Sequence, residues 1–328
     1  MLELELLRAI APETRTPSSA AYARARAELR RRMSVPARGS GRRWLLPAGG
    51  VAASAAAAAA IFLSVGTGGE ATASASAALR QAAATAARQA PPEALAPGQY
   101  LYTKSVNAYL NTGVYENGTS YSVLVPNIRE IWLGRDGTGW LLQKSGEPTF
   151  LSERDRAAWV DAGRPALGEH RMDLKLENTD LPDVPMYSLD LPSDPDVLFE
   201  RLERDAGSGG SSLEDEMFTL VGDALRENYA TPEQRAALYE VAARIPGVEL
   251  LGEMTDGAGR LGIAVARDDE ANRIRYTLIF DPETAALLGE QQVVLAGNWA
   301  GYPEGTVIGH ATYVESAIVD EIKERPKT

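Results

Sequence analysis

The chain has 328 residues, 45% of them apolar, and it contains no cysteine. Such a composition is typical of a folded globular protein, and the absence of cysteine excludes a disulfide framework, a zinc–cysteine cluster and a thiol nucleophile. The formal net charge of −12 is unevenly distributed, because residues 1–43 carry ten arginines against four glutamates and residues 44–66 carry no charge. Residues 67–328 therefore have a net charge of −18, which repels phosphates and argues against nucleic acid as a partner.

Residues 44–66 are predicted to form a transmembrane helix. The 23 uncharged residues would make a helix about 34 Å long at ~1.5 Å per residue, enough to cross a hydrocarbon core of about 30 Å. Arg38, Arg42 and Arg43 lie just before this segment, and positively charged flanks stay in the cytoplasm. The sequence thus predicts a single-pass protein of the cell membrane with a cytoplasmic N-terminus, held in the lipid bilayer through residues 44–66.

Three other interpretations of this segment stay open. Its centre, residues 55–60, is all alanine, which also suits a soluble helix, and a helix buried in a larger membrane assembly has the same pattern. A cleaved signal peptide is the third, since Ala71, Ala73 and Ala75 offer A-x-A-like cleavage sites. Against cleavage, 43 residues before the apolar core are more than the usual positively charged region of a signal peptide.

The regions on either side of the span have distinct compositions. Residues 1–43 form a basic cytoplasmic tail, which is either solvated and lies on anionic lipid or docks a cytoplasmic partner through a short helix that ends near Met33. Residues 67–98 are rich in Ala, Ser and Pro and are predicted to be a tether that is helical in part, over residues 77–90, because Pro91 and Pro92 end a helix.

Residues 99–328 are predicted to form one extracytoplasmic domain that begins with strands and continues with helices. Strands are predicted over residues 99–106 and, as a pair, over 129–134 and 140–143, where β-branched and aromatic residues concentrate. Three helices follow. Asp194 with Pro195, Ser212, and Thr231 with a capping box to Gln234 are the predicted start signals.

Strand patterns return after the helices, at residues 248–253, 261–266 and 274–280. In the second of these strands bulky and small residues alternate, which allows close approach by another element. In the third, apolar residues alternate with polar ones, as in a half-buried antiparallel strand. The predicted fold class is therefore α+β, an antiparallel sheet with helices packed on one side, preceded by one transmembrane helix.

Over about residues 98–320, the sequence resembles an uncharacterised family of single-pass membrane-anchored exported proteins of high-GC Gram-positive bacteria. Five short motifs carry this resemblance. They are Gly98-Gln99-Tyr100-Leu101-Tyr102, Leu191-Pro192 with Asp194-Pro195, Ile245-Pro246-Gly247-Val248, Asp256-Gly257 with Gly259-Arg260, and Phe280-Asp281-Pro282-Glu283-Thr284 with Leu288-Gly289. More distantly, the outer domain is similar to lipoprotein-carrier and sigma-regulator (LolA/RseB-like) domains. That resemblance implies a curved, incompletely closed sheet around the helices. Fold analogy alone does not imply an activity.

No enzyme motif is found in the sequence. His170 and His310 are the two histidines, neither has another His at helical spacing, and no G-x-S-x-G sequence occurs, which disfavours a zinc hydrolase and a Ser-His-Asp triad. Residues 205–216 have the length of an EF-hand loop, but Gly207 and Gly209 occupy ligand positions. Acid-rich residues 180–196 and 268–270 are predicted to be solvated loops, with weak binding of divalent ions as the alternative. We therefore expect no catalytic, cofactor or metal site.

The expected function is that of a membrane-anchored extracytoplasmic binding or sensing protein of the cell envelope, for a hydrophobic ligand or an envelope protein. Trp132, Trp140, Trp159 and Trp299 either line a groove for a lipid or glycan or fill a sheet core. The alternative function is a transmembrane, anti-sigma-like regulator whose tail, residues 1–43, binds a transcription factor. An enzyme that uses carboxylates of the acidic loops ranks third. An open apolar cavity beneath the helices would favour the ligand-binding function, whereas a filled core would favour a protein-interaction role.

Overall fold

A computed structural model describes residues 68–90, 95–114, 120–165, 171–177, 191–207, 211–227, 230–298 and 301–326. The predicted basic tail and transmembrane helix, residues 1–43 and 44–66, lie outside these ranges. Within them, no helix has the length and apolar character needed to cross a bilayer.

Five helices occur in the described ranges, and the three predicted start signals are among those that begin them. The Asp194 carboxylate accepts the N–H groups of Asp196 and Val197, and the Ser212 hydroxyl accepts that of Asp215. Thr231 and Gln234 form the expected capping box. The helices are α1 Gly68–Ala87, α2 Glu153–Asp161, α3 Pro195–Ala206, α4 Leu213–Arg226 and α5 Pro232–Ala242.

Nine strands of the described chain form one antiparallel sheet. The strands are β1 Tyr100–Val114, β2 Ser120–Gly134, β3 Gly139–Ser145, β4 Arg171–Leu176, β5 Val248–Thr255, β6 Leu261–Asp269, β7 Ile274–Phe280, β8 Leu287–Val294 and β9 Val307–Val319. Their order across the sheet is β4-β3-β2-β1-β9-β8-β7-β6-β5. The strands before the three helices thus form one half of the sheet and those after them form the other, and β1 pairs with β9 where the halves meet. The predicted α+β class is confirmed.

The main hydrophobic core lies between β5–β8 and the helices, on what we call the helix face of the sheet. Its buried side chains include Leu198 and Leu202 of α3, Val221 of α4, Leu238 of α5 and Val265 of β6. These positions recur at helical spacing within each helix, which is why the sequence pattern predicted them. The space beneath the three helices is therefore filled by side chains.

Helix α1 is part of this core. Small residues and one leucine recur at helical spacing along one side, and these are the buried residues Ala75, Leu79, Ala82, Ala83 and Ala86. Because most of these side chains end at Cβ, the helix can pack closely against its neighbours. The Ser76 hydroxyl also donates to the carbonyl of Ala243, just beyond α5, at 2.8 Å. The helix predicted over residues 77–90 thus begins nine residues earlier and ends at Ala87.

The opposite face of β1–β3 holds a second, smaller aromatic cluster. Tyr102 and Trp132 are cross-strand neighbours with ring centroids 5.1 Å apart, and Trp140 is the next residue along the same row. Residues 320–325, which we call the C-terminal strap, cross this row. Trp132 donates its indole N–H to the carbonyl of Glu324 at 2.5 Å, and Lys323 lies 4.0 Å from the centroid of the Trp140 ring.

Strand β7 is more buried than its alternation predicts. Thr277 and Ile279 face away from the helices, yet both are buried. Ile279 belongs to a small cluster with Ala264 and Leu288, and a Cβ added at Gly262 would lie 2.7 Å from the Ile279 side chain. The small face predicted for residues 261–266 thus does permit close approach, and the approaching groups are side chains of neighbouring strands.

Candidate functional site

A pocket of about 440 Å³ lies where strands β8 and β9 part. Strand β8 pairs with β9 only between Gly289 and Val293, whereas the C-terminal half of β9 pairs with β1 alone. The resulting gap is bordered by residues 286–288 on one side and residues 313–318 on the other, with the end of α4 and the start of α5 above it. We call this cavity the split pocket.

The lining of the split pocket combines aliphatic side chains with three arginines. Leu101, Leu225, Leu287, Leu288 and Ile318 supply the apolar surface. Three guanidinium groups, those of Arg226, Arg235 and Arg260, also line it. A concave apolar surface with a few fixed polar groups is the usual composition of a small-molecule site, and typical volumes run from roughly 300 to 1,000 Å³.

Arg260 bridges strands β8 and β9 beside the pocket. It donates two hydrogen bonds to the carboxylate of Asp256, at 2.8 and 2.5 Å, and others to the carbonyls of Leu288 and Tyr313, at 3.1 and 2.7 Å. Asp256 also accepts the N–H groups of Ala258 and Arg260, which closes the predicted turn between β5 and β6. Because Leu288 and Tyr313 belong to β8 and β9, this turn folds back over strands that are not its neighbours in the sheet order.

Arg226 forms the second charged group of the pocket with Glu290. Two hydrogen bonds of 2.7 and 2.6 Å join them, Asp223 lies 2.5 Å from the same guanidinium, and Tyr313 donates to Glu290 at 2.7 Å. Burial alone would lower the pKa of Arg226, but the adjacent Glu290 carboxylate outweighs it and the pKa is raised. Burial and the same carboxylate raise the pKa of Tyr313 well above its usual value. One guanidinium thus faces two carboxylates, and burial raises the pKa of Asp223.

The next residue, Glu227, connects α4 to the other half of the sheet. Arg129 of β2 donates two hydrogen bonds to it, at 2.7 and 2.9 Å. The consecutive residues Arg226 and Glu227 therefore attach the end of α4 to β8 on one side and to β2 on the other. The position of this helix end, which borders the split pocket, depends on both contacts.

Arg235 differs from the other two arginines. In the part of the chain that the structure describes, it has no carboxylate within ion-pair distance, and its hydrogen bond goes to the carbonyl of Ala230 at 3.5 Å. The capping box of Thr231 and Gln234 fixes the first turn of α5, and thereby the backbone from which Arg235 extends. Arg235 is half-buried, so its charge is partly removed from water.

The tryptophans do not form one groove in the described residues. Trp132 and Trp140 belong to the cluster beneath the C-terminal strap. Trp159 packs with Phe150 against the helix face of β2, where Tyr121, Val123 and Val125 are buried. Trp299 lies outside the described residues. The described tryptophans thus fill two separate clusters, which corresponds to the sheet-core alternative.

The histidines and acidic segments that the sequence analysis considered as catalytic or metal-binding candidates have ordinary structural positions where they are described. His310 lies on β9 opposite Ala108, and burial lowers its pKa, whereas His170 lies outside the described residues. In the EF-hand-like segment, Asp215 pairs with Arg267 at 2.7 Å. In the acidic segment 268–270, Asp268 pairs with Arg275 at 2.6 Å. Among the described side chains, no three His, Asp or Glu residues come together in a way that would hold a metal ion.

The split pocket was not predicted, although part of its signal is present in the sequence. Leu101, Arg260 and Leu288, three of its lining residues, belong to three of the five motifs that carry the family resemblance. Those motifs lie far apart in the chain, and the pairing of β1 with β9 and the turn at Asp256 bring them together. The remaining lining residues, Arg235 among them, occur in ordinary helical or strand patterns.

Two solved structures show weak similarity to this fold. One is the complex of MucA and MucB from Pseudomonas aeruginosa, which matches at 12% identity with a TM-score of 0.27, over 76% of this chain and 59% of the matched chain. The other, MucB in complex with MucA(peri), matches at 14% identity with a TM-score of 0.25, over 76% and 57%. This chain thus spans less than two thirds of either match, and similarities of this size assign it neither a partner nor an activity.

No protein-family model matches the sequence, and none of the curated proteins does. The resemblance to the membrane-anchored family therefore stays a prediction from the motifs, and the resemblance to lipoprotein-carrier and sigma-regulator domains stays a prediction from fold analogy.

Proposed function

We propose that this chain is a non-enzymatic, membrane-anchored protein of the cell envelope whose extracytoplasmic α+β domain binds a hydrophobic ligand in the split pocket. The observation that carries the proposal is the aliphatic cavity of about 440 Å³ between β8, β9 and the helices. Membrane anchoring is supported by the uncharged segment, residues 44–66, and by the change from +6 before it to −18 after it. The cavity expected of the ligand-binding function was one beneath the helices; that space is filled by side chains, and the open cavity lies at the gap between β8 and β9.

Site-specific photocrosslinking in the full chain tests this function. Ser316 lines the pocket and is exposed, so p-benzoylphenylalanine at this position would contact a bound ligand without removing a core side chain. After irradiation in membranes of the producing cell, we expect adducts of lipid mass at Ser316. Val197 on α3, which is 54% exposed and does not line the pocket, is the control position and should give none. Equal labelling of both positions, or none at Ser316, would contradict the proposal.

Adducts of protein mass at Ser316 would instead indicate that the domain binds an envelope protein. This outcome corresponds to the other partner class expected from the sequence, and the same mass spectra distinguish it.

A regulatory function is the second candidate, favoured by the basic tail. Residues 1–43 carry ten arginines. The three that flank the span are enough to set the orientation, so the others are available to bind a cytoplasmic partner such as a transcription factor. Deletion of residues 1–35 retains Arg38, Arg42 and Arg43, so the orientation signal stays. An altered transcript profile in the deletion strain supports this candidate, and an unchanged profile removes it.

A further inference from the structure

The arginines around the split pocket differ in their ion pairs. Arg226 faces two carboxylates, those of Glu290 and Asp223, and Arg260 faces that of Asp256. Arg235 has no such carboxylate among the described residues, and the carbonyl of Ala230 takes one of its N–H groups. Since a guanidinium carries five N–H donors in a planar fork, the described residues leave most of the donors of Arg235 to water or a ligand.

Glu315 also borders the pocket, but its carboxylate lies on the opposite face of the sheet. It is paired in register with Lys104, which shares a face with Tyr102, whereas the pocket residues Leu101 and Thr103 alternate with these. The pKa of Tyr102 is raised by burial, by its hydrogen bond to Glu130 and further by the Glu315 charge. Glu315 therefore acts on the side away from the pocket and does not neutralise Arg235.

The remaining surface of the pocket is suited to a hydrocarbon chain. The pocket is lined by the aliphatic side chains of Leu101, Leu225, Leu287 and Ile318. When a hydrocarbon chain contacts them, apolar surface of both the chain and the pocket is removed from water, which is favourable. The pocket thus presents, next to an aliphatic surface, one arginine that has no ion pair with a described residue.

We propose that the ligand of the split pocket is an amphiphile with an acidic head group, a carboxylate or a phosphate monoester, which Arg235 binds through charge-assisted hydrogen bonds. This inference rests on the proposed ligand-binding function and specifies the ligand class. Planar bidentate pairing with a carboxylate or phosphate is the interaction to which a guanidinium is best suited. A neutral amphiphile would cover the half-buried charge without pairing it, which is unfavourable.

The test uses the full chain in membranes and three photoactivatable diazirine probes of equal chain length: a fatty acid, an alkyl phosphate and a fatty alcohol. Labelling of pocket peptides is quantified by mass spectrometry. In the unmodified chain the two acidic probes are expected to label the pocket roughly tenfold more than the alcohol, the ratio that one charge-assisted hydrogen bond supplies. The acid and phosphate arms separate a carboxylate ligand from a phosphate one.

The decisive variant is Arg235→Gln, which keeps much of the side-chain length and removes the charge. It should lower labelling by the acidic probes roughly tenfold without lowering alcohol labelling, and the retained alcohol labelling also shows that the variant pocket is folded. Arg235→Lys should retain part of the preference. Arg244→Gln is the matched control, because Arg244 lies just beyond the same helix and pairs with Asp196 at 2.6 Å, outside the pocket.

Two results separate failure of this inference from failure of the proposed function. Alcohol labelling equal to acid labelling in the unmodified chain, or undiminished acid labelling of Arg235→Gln, overturns the role of Arg235 while the pocket remains a ligand site. Pocket labelling by none of the three probes overturns both.

Discussion

Asp155 is a buried carboxylate whose charge is stabilised by hydrogen bonds. It is 1% exposed, and its carboxylate accepts the N–H of Ser122 at 3.0 Å and the hydroxyl of Tyr302 at 2.8 Å, together with the hydroxyl of Ser152. Burial by itself raises the pKa of Asp155, but these three hydrogen bonds outweigh it and the pKa is lowered. One side chain thereby joins α2, β2 and the segment before β9.

Asp155→Asn should lower the free energy of unfolding at pH 7 by about 2–3 kcal/mol. The amide nitrogen of asparagine would face N–H or O–H groups that now donate hydrogen bonds to the charged carboxylate. The folded pKa lies below the unfolded value of about 3.9, so this stabilisation is complete above that pH and is lost as the pH falls through the folded pKa. The difference between the two proteins should therefore shrink below about pH 4. Urea unfolding followed by tryptophan fluorescence at several pH values measures it.

Asp161→Asn provides the matched control for that substitution. Asp161 is exposed at the end of the same helix, and its substitution should change stability by no more than about 0.5 kcal/mol. A pH-independent difference between Asp155→Asn and the unmodified chain would contradict the assignment of a charged, buried Asp155.

Among the secondary-structure elements, α1 shows how a sequence of low complexity can supply a core helix. Its buried stripe consists of four alanines and Leu79, so Leu79 is the one large apolar side chain in the stripe. Helix formation here depends on packing against α5 and β5, since few other residues of α1 offer apolar area. The tether predicted from composition therefore includes a helix that is packed on the domain.

Leu79→Ala should destabilise the domain by about 2–4 kcal/mol, because a fully buried leucine is replaced and the small neighbours can fill little of the space. Arg80→Ala, on the exposed side of the same helix, should change stability by no more than about 0.5 kcal/mol. Both are measured by urea unfolding of the full chain. If the two substitutions had the same effect, α1 would not be part of the cooperative core.

Features that depend on residues close in sequence were easier to predict than features that depend on contacts between distant residues. Thr231 and Gln234 satisfy each other within one turn, and Leu198 and Leu202 lie on one side of one helix, so both features can be identified from spacing alone. Helix α2 was missed because its signals are only the cap at Ser152 and charged residues that resemble a loop. The pairing of Arg226 with Glu290, 64 positions apart, depends on how β8 is placed beneath α4, which no local pattern specifies.

At the scale of the whole molecule, the C-terminal strap completes the half of the sheet that the helix core does not cover. Arg325 donates two hydrogen bonds to Glu130, at 2.6 and 2.8 Å, and the hydroxyl of Tyr102 donates to the same carboxylate at 2.8 Å. Lys323 pairs with Asp173 at 3.1 Å. The strap thereby joins β1, β2 and β4 through side chains, while its backbone accepts the indole N–H of Trp132.

Truncation after Val319 should expose Trp132 and Trp140 to water. We expect red-shifted tryptophan emission and stronger quenching by acrylamide than in the full chain. Truncation after Pro326, which removes two residues and retains the strap, is the control and should have the spectrum of the full chain. The double substitution Lys323→Gln with Arg325→Gln keeps the backbone and should increase quenching less than the truncation does. Equal quenching in all four proteins would show that the strap does not shield the cluster.

The placement of β9 beside β1 also has a consequence for how the chain is made. Ten residue pairs join these strands, and β9 leaves the ribosome after the other eight strands of the described sheet, about 200 residues after β1. Until then β1 has a partner on one side only, and the first half of the sheet has an open edge. The split pocket, which forms between β9 and β8, is therefore among the last features to be completed, and an incomplete nascent chain has no site in which a ligand can be retained.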